Sequence, residues 1–251
     1  MPGELLCDYT KYALSLGEWA RYILEGAAAC ALTAYVFYRS KTVFLLFLPA
    51  ALIRPVLMKR KLLRFRQEEL RREFKEAILI LASALSAGYS IENAFSVSQR
   101  DLEELYGRDA MITKEFSYIS EQIKMNRTVE ELFASFAARS GLEEIRNFSV
   151  IFGVSKRSRG ELVSVVNHVT HIISDRIQVQ EEIMIMTAEK KFEQKVMNIM
   201  PFFIVLYVDL SSPGFFSQMY ETLAGRIIMT CCLVVYLTAC LLSARILKIE
   251  V

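Results

Sequence analysis

His168, His171 and Asp175 come closest, by type and spacing, to a set of residues that could do chemistry. At i, i+3 and i+7 on a helix they share one face, as metal ligands can. Val169, Ile172 and Ile173 flank them, and no cysteine or second ligand-bearing helix is identifiable in the sequence. Histidines at the boundary of an amphipathic helix give the same pattern, so no metal and no cofactor is assigned. Asp209 ends an apolar run beside Ser211 and Ser212. It reads either as a proton-relay group or as a cap at the outer membrane surface. None of the 10 glycines stands in a G-x-x-x-x-G-K-[ST] loop, so ATP is not bound by that route. Neither G-x-S-x-G nor H-E-x-x-H occurs. No catalytic residue is assigned and an enzyme is not expected.

Charge is uneven along the chain although the net charge is only +2. Arg54, Lys59, Arg60, Lys61, Arg64, Arg66, Arg71, Arg72 and Lys75 crowd one stretch. Arg60, Lys61, Arg64, Arg66, Arg71 and Arg72 are the candidate contacts for a partner or for anionic lipid, which gains ~1 kcal/mol per basic residue near the surface. Nucleic acid is not an expected partner, because the cluster lacks interleaved stacking aromatics. The 5 cysteines show no C-x-x-C spacing, and four lie in apolar segments, where small hydrophobes belong.

The positions of these residues depend on elements readable from composition. Hydrophobic residues make up 53% of the 251-residue chain. The N-terminus has Glu4 and Asp8 where a signal peptide would be basic, and it reads as retained. Apolar segments cover Trp19 to Tyr38, Thr42 to Ile53, Val196 to Leu210 and Ile227 to Ala244. The second is short for a crossing of roughly 30 Å at ~1.5 Å per residue, and a single bent anchor is its alternative. Lys and Arg placement puts the basic cluster and both termini in the cytoplasm, with Arg39 and Lys41 as a small violation. The expected organisation is an N-terminal segment 1–18, a hairpin of two spans 19–58, a cytoplasmic helical domain 59–195 and a second hairpin 196–251. The spans of that second hairpin lie near 196–210 and 227–246.

No proline interrupts the chain between Pro55 and Pro201, and no strand pattern of useful length appears. Phe74, Ala77, Ile78, Leu81, Ala82 and Leu85 form one face of a first helix, which glycine can end at Gly88. Ser90 opens a second helix with Ile91, Ala94, Phe95, Leu102 and Leu105, stopped by Gly107. A third carries Ile112, Phe116, Ile119 and Ile123. Thr128 with Glu131, Ser140 with Glu143 and Ser158 with Glu161 read as capping boxes opening three more. Leu162, Val165, Val166, Val169, Ile172, Ile173 and Ile177 line the last. Glu161 to Met200 has neither glycine nor proline; unbroken it would span ~60 Å, and a break near Thr187 is the alternative. The fold class is all-α: about four transmembrane helices and a cytoplasmic six-helix antiparallel bundle.

Leu81 to Ser90 with Ala94 downstream, Glu130 to Phe133 ahead of Ala138 to Ser140, Lys156 to Leu162, Ile172 to Ile177, and Ala188 to Lys191 through Pro201 follow in a specific order. In that order they resemble the type II secretion system F domain, in the form found in Tad (tight adherence, Flp pilus) platform proteins, more the B member than its counterpart. The matching motif positions are Leu85, Gly88, Ala94, Gly160, Leu162 and Pro201. Asn126-Arg127 stands where relatives tend to have a glycine, and Arg159 replaces the first of a glycine pair. A single copy of the domain is present, whereas the classical platforms carry two.

The resemblance implies a non-enzymatic platform in the bacterial inner membrane. Its implied partners are a hexameric secretion ATPase, a second F-domain platform protein, pilin subunits and membrane lipids, in a homo- or hetero-oligomer. A metal-dependent membrane enzyme using His168, His171 and Asp175, and a transporter subunit, are the competing functions. A transporter needs mid-span polar groups, and the fourth apolar segment has little beyond Thr230, Tyr236 and Thr238.

Overall fold

Apolar residues recurring every three or four positions force helices throughout the computed structural model, which describes residues 8–11, 14–39, 44, 45, 48, 49, 52–155, 162–212 and 214–246. The elements are α1 (Leu16–Tyr38), α2 (Arg54–Ser86), α3 (Ile91–Tyr106), α4 (Met111–Lys124), α5 (Val129–Ser140), α6 (Glu143–Ser155), α7 (Leu162–Ser211), α8 (Ser217–Glu221) and α9 (Leu223–Ile246). The chain divides into two units. One comprises 1–13 and 60–179, the other 14–59 and 180–251.

In the first unit the six predicted helices are present as α2 to α7. Phe74, Ala77, Ile78, Leu81 and Leu85 on α2 are all buried, as are Ile112, Phe116, Ile119 and Ile123 on α4. α3 packs on α4, and α5 on α6. Phenylalanines tie these pairs together. Phe95 meets Phe116 at 5.6 Å and Phe133 at 5.7 Å between ring centres; Phe133 meets Phe148 at 5.3 Å, and Phe148 meets Phe74 at 5.8 Å. Tilted and edge-on pairs of this kind add ~0.5–1.5 kcal/mol each beyond their buried area. Leu105 and Ile172 were expected on inner faces and are exposed.

The helix ends show how local chemistry sets the turns. α2 ends in a Schellman motif: Gly88 has φ +89°, its N–H donates to Leu85 O at 3.1 Å, and Tyr89 N–H donates to Ala84 O at 3.3 Å. α4 ends in the same way without glycine. Asn126 takes φ +62°, its N–H donates to Ile123 O at 2.9 Å, and Arg127 N–H donates to Gln122 O at 3.1 Å. Asparagine tolerates the left-handed region better than other residues with a Cβ, so the departure from the family pattern at Asn126 keeps the turn.

Two predicted caps differ. Thr128 precedes α5 but its side chain makes no capping hydrogen bond. Ser140 closes α5 instead of opening α6: its hydroxyl donates to Ala137 O at 3.0 Å and accepts from Leu142 N–H at 3.3 Å. Gly141, left-handed at φ +67°, makes the corner. The Ser158–Glu161 box and Arg159 lie outside the described residues.

The second unit is built from α1, the C-terminal part of α7, α8 and α9. Phe37, Phe202 and Tyr236 bring α1, α7 and α9 together, with ring centres 5.6–6.4 Å apart. Asn198, the polar interruption in the third apolar segment, is satisfied by α9. Its carbonyl accepts from Tyr236 OH at 2.7 Å and its Oδ1 from Cys240 Sγ at 3.4 Å. Among the described residues one helix, Leu223–Ile246, is long and apolar enough by length and composition to cross a membrane. Half of the short segment from Thr42 to Ile53 lies outside the described residues. α7 runs unbroken through Thr187 and past Pro201.

Candidate functional site

α2 carries the basic cluster, and its burial pattern sorts the six candidate contacts. Leu70 and Phe74 face the core, so residues beside that stripe turn inward. Arg66 places its guanidinium 5.0 Å over the Tyr9 ring, and Arg71 pairs with buried Glu144 at 3.4 Å. Arg60, Lys61, Arg64 and Arg72 lie on exposed positions. The first three, with Lys59, form a solvent-facing basic stretch. Arg66 and Arg71 instead hold the unit together.

A buried polar network missed by sequence reasoning sits between α4 and α5. Arg139 donates twice to Glu115, Nη1 to Oε1 and Nη2 to Oε2, each at 2.7 Å. Glu115 is 1% exposed. Burial works against the charge on Arg139, but the hydrogen bonds and negative charge of Glu115 outweigh it and raise the guanidinium pKa. Tyr9, 3% exposed, donates its hydroxyl to the same Glu115 Oε1 at 3.0 Å. The only available sequence signal was a charged pair, Glu115 and Arg139, on otherwise amphipathic helices.

Glu73 is, with Glu115 and Glu144, a buried carboxylate. α4 has Ala110 at its N-cap, which offers no side-chain acceptor. Glu73 on α2 supplies one from a distance, accepting the Ile112 N–H at 2.9 Å. Burial pushes the Glu73 pKa up; the Ile112 hydrogen bond opposes this, and neighbouring Glu69 adds to it.

At one end of the second unit, Arg39, Tyr35, Asp209 and Tyr220 converge around a cavity also lined by Val36, Val205 and Leu206. Arg39 Nη1 donates to Asp209 Oδ1 at 3.2 Å and Tyr35 OH to Oδ2 at 3.4 Å. Tyr220 OH donates to Val36 O at 2.7 Å, and Tyr38 OH to Thr230 Oγ1 at 3.0 Å. Asp209 therefore lies within α7 as the partner of a cation, rather than as a cap.

His168, His171 and Asp175 are all exposed on α7, while Val169, Ile173 and Ile177 turn inward. Among the described residues no group of three or more His, Cys, Asp or Glu is placed to hold a metal ion.

The sequence profile of the family described as type II secretion system (T2SS), protein F, matches residues 77–208. That stretch runs from the buried face of α2 through α3 to α6 and along most of α7. The chain belongs to the type II secretion system protein F family. No curated protein and no solved structure matches it.

Members of the F family are inner-membrane platform proteins of secretion and pilus-assembly machinery, structural components without enzymatic activity. The family implies association with a secretion ATPase and with pilins. Within the F-family match, Leu85 and Ala94 are buried core residues, Gly88 makes the α2 turn and Pro201 sits inside α7. Leu162 begins α7, and Gly160 lies outside the described residues. Of these positions, Leu85 and Ala94 are packing residues and Gly88 is a turn residue.

Proposed function

We propose that this chain is the platform of a Tad-type (tight adherence, Flp pilus) machine, nearer its B member, coupling a hexameric secretion ATPase to the extraction and assembly of pilin subunits. The continuity of α7 carries the reading. Val166, Val169, Ile173 and Ile177 of that helix are buried in the helical unit, and the same helix continues into the apolar run that ends at Leu210. A 50-residue helix is about 75 Å long. It provides a stiff path along which displacement of the helical domain reaches the apolar segment. The chain pairs with a second F-domain protein, as the resemblance to Tad platforms implies.

The chain crosses the membrane four times, with the helical domain and both termini in the cytoplasm. Docking of residues 8–11 within the helical unit supports this, because those residues then lie on the same side as that unit. Lys59, Arg60, Lys61 and Arg64 face anionic lipid or the ATPase.

The test is capture of the ATPase by the full chain in detergent, together with periplasmic reporter fusions at Ser40 and Ser217. Capture with both reporters active is expected. Failure to capture any such motor, with normal pilus or secretion output in a deletion strain, sinks the reading.

A further inference from the structure

Terminal segments are poorly ordered unless something ties them down. Here residues 8–11 belong to the helical unit although they precede the first apolar helix. Tyr9 is gripped from three sides. Its hydroxyl donates to Glu115 Oε1 on α4 at 3.0 Å, its backbone N–H donates to Arg139 O on α5 at 3.0 Å, and Arg66 of α2 covers its ring. The Arg139–Glu115 pair that receives the hydroxyl is itself buried and bidentate, so the tyrosine completes a polar cluster. Asp8 Oδ1 accepts Thr10 N–H at 3.0 Å, which folds the segment into an Asx turn. Thr10 in turn packs over Gly141, where a Cβ would stand 3.0 Å from its methyl group.

The next element follows closely. α1 opens at Leu16 with Ser15 as N-cap, and Ser15 N–H donates to Glu18 Oε2 at 2.9 Å. From Lys11 to Ser15 the chain reaches at most about 14 Å, at ~3.5 Å per residue. A tether that short transmits a restraint. A long Gly/Ser-rich one would absorb it.

We infer that residues 8–11 form a strap, hooked by Tyr9 on the Glu115–Arg139 pair, that couples the first turn of α1 to the helical domain. It deepens the platform reading, on which its use in assembly rests. It adds an N-terminal line of transmission to the one along α7.

The experiment is hydrogen exchange on the full chain in nanodiscs, comparing the natural sequence with Tyr9→Ala, Tyr9→Phe and a flexible Gly/Ser insertion directly after Lys11. In Tyr9→Ala the amides from Trp19 to Tyr22 should exchange about tenfold faster, while α3 and α4 stay protected. Tyr9→Phe keeps the ring and should fall between. The insertion keeps every strap contact, so the Tyr9 amide should stay protected while the start of α1 speeds up. If Tyr9→Ala loosens α3 and α4 as well, the insertion alone decides. An unchanged first turn of α1 in the insertion variant overturns the coupling, and so does an unprotected Tyr9 amide in the natural sequence. Pilus or secretion output, at equal protein level, should fall several-fold in the insertion strain. Unchanged output there would overturn the strap's role in assembly and leave the platform reading standing. Unchanged output in a whole-gene deletion would instead sink the platform reading, while exchange still decides the coupling.

Discussion

Arg39 donates to Asp209 across 3.2 Å although 170 positions separate them. Arg39 ends α1 in a left-handed conformation, φ 46°, with its guanidinium 5.7 Å over the Tyr35 ring. With Lys41, this is one of the two cations that ran against the distribution of Lys and Arg along the chain. The Asp209 carboxylate neutralises it, so it need not weigh against the four-span topology. Asp209→Asn leaves Arg39 without its counter-charge and should destabilise the detergent-solubilised protein. The Arg39→Gln, Asp209→Asn double variant should lose less than the sum of the singles. A coupling of about 0.5–1 kcal/mol is expected for a partly exposed pair. Thermal melts of the four proteins measure it, and strict additivity would show that the pair does no more than decorate the end of α1.

Glu73 makes stability depend on pH. Its pKa in the folded protein is raised by burial, so the folded state binds its proton more tightly than the unfolded chain does. The favourable contribution is fully present below the ordinary carboxylate pKa and disappears as pH rises through the raised value. Glu73→Gln keeps an acceptor for Ile112 N–H and removes the titration. The variant should match the natural protein at about pH 4 and equal or exceed it at about pH 8. Melting temperatures across that range decide; a larger deficit of the variant at the alkaline end contradicts the assignment.

Gly88 and Asn126 make equivalent turns with different residues. No atom lies within 4 Å of the place a Cβ would take on Gly88, so its requirement is conformational alone. Gly88→Val and Asn126→Val should each cost about 1–2 kcal/mol. Asn126→Gly should lie within about 0.5 kcal/mol of the natural protein. Chemical denaturation of the three variants checks this ordering.

Gly141 and Gly225 are constrained by neighbours. A Cβ on Gly141 would press on Thr10 and Gln67 from a left-handed backbone, and one on Gly225 would fall inside the backbone of Met219. Gly225→Ala should therefore separate α8 from α9 and cost about 1–3 kcal/mol. Gly141→Ala should release residues 8–11 to limited proteolysis before it unfolds α3 and α4. Survival of the N-terminal segment under protease would count against the close packing of Thr10.

The helices and their inner faces were legible because apolar periodicity is local: the α2 and α4 faces are buried as their spacing predicted. The absence of glycine and proline from Glu161 to Met200 allowed a continuous α7, but a break near Thr187 fitted the sequence equally well. What could not be read depends on partners far along the chain. Tyr9 looks like one residue of a polar leader until Glu115 and Arg139 are brought to it. Arg66 and Arg71 look like members of a basic run until Tyr9 and Glu144 claim them. Ser140 fits a capping box by spacing, yet Gly141 turns the chain before its hydroxyl can serve α6. Glu73 caps α4 from another helix, which no window of local sequence contains.

The ring cluster formed by Phe74, Phe95, Phe116, Phe133, Phe148 and Phe152 holds no indole, and the one tryptophan of the chain, Trp19, stands on α1. Tryptophan emission from this protein, excited beyond the absorption band of the 11 tyrosines, is thus a private signal of its first apolar helix. A fluorimetric melt will register when α1 changes its surroundings and remain blind to the phenylalanine interior, whose opening needs circular dichroism or methyl resonances to be seen.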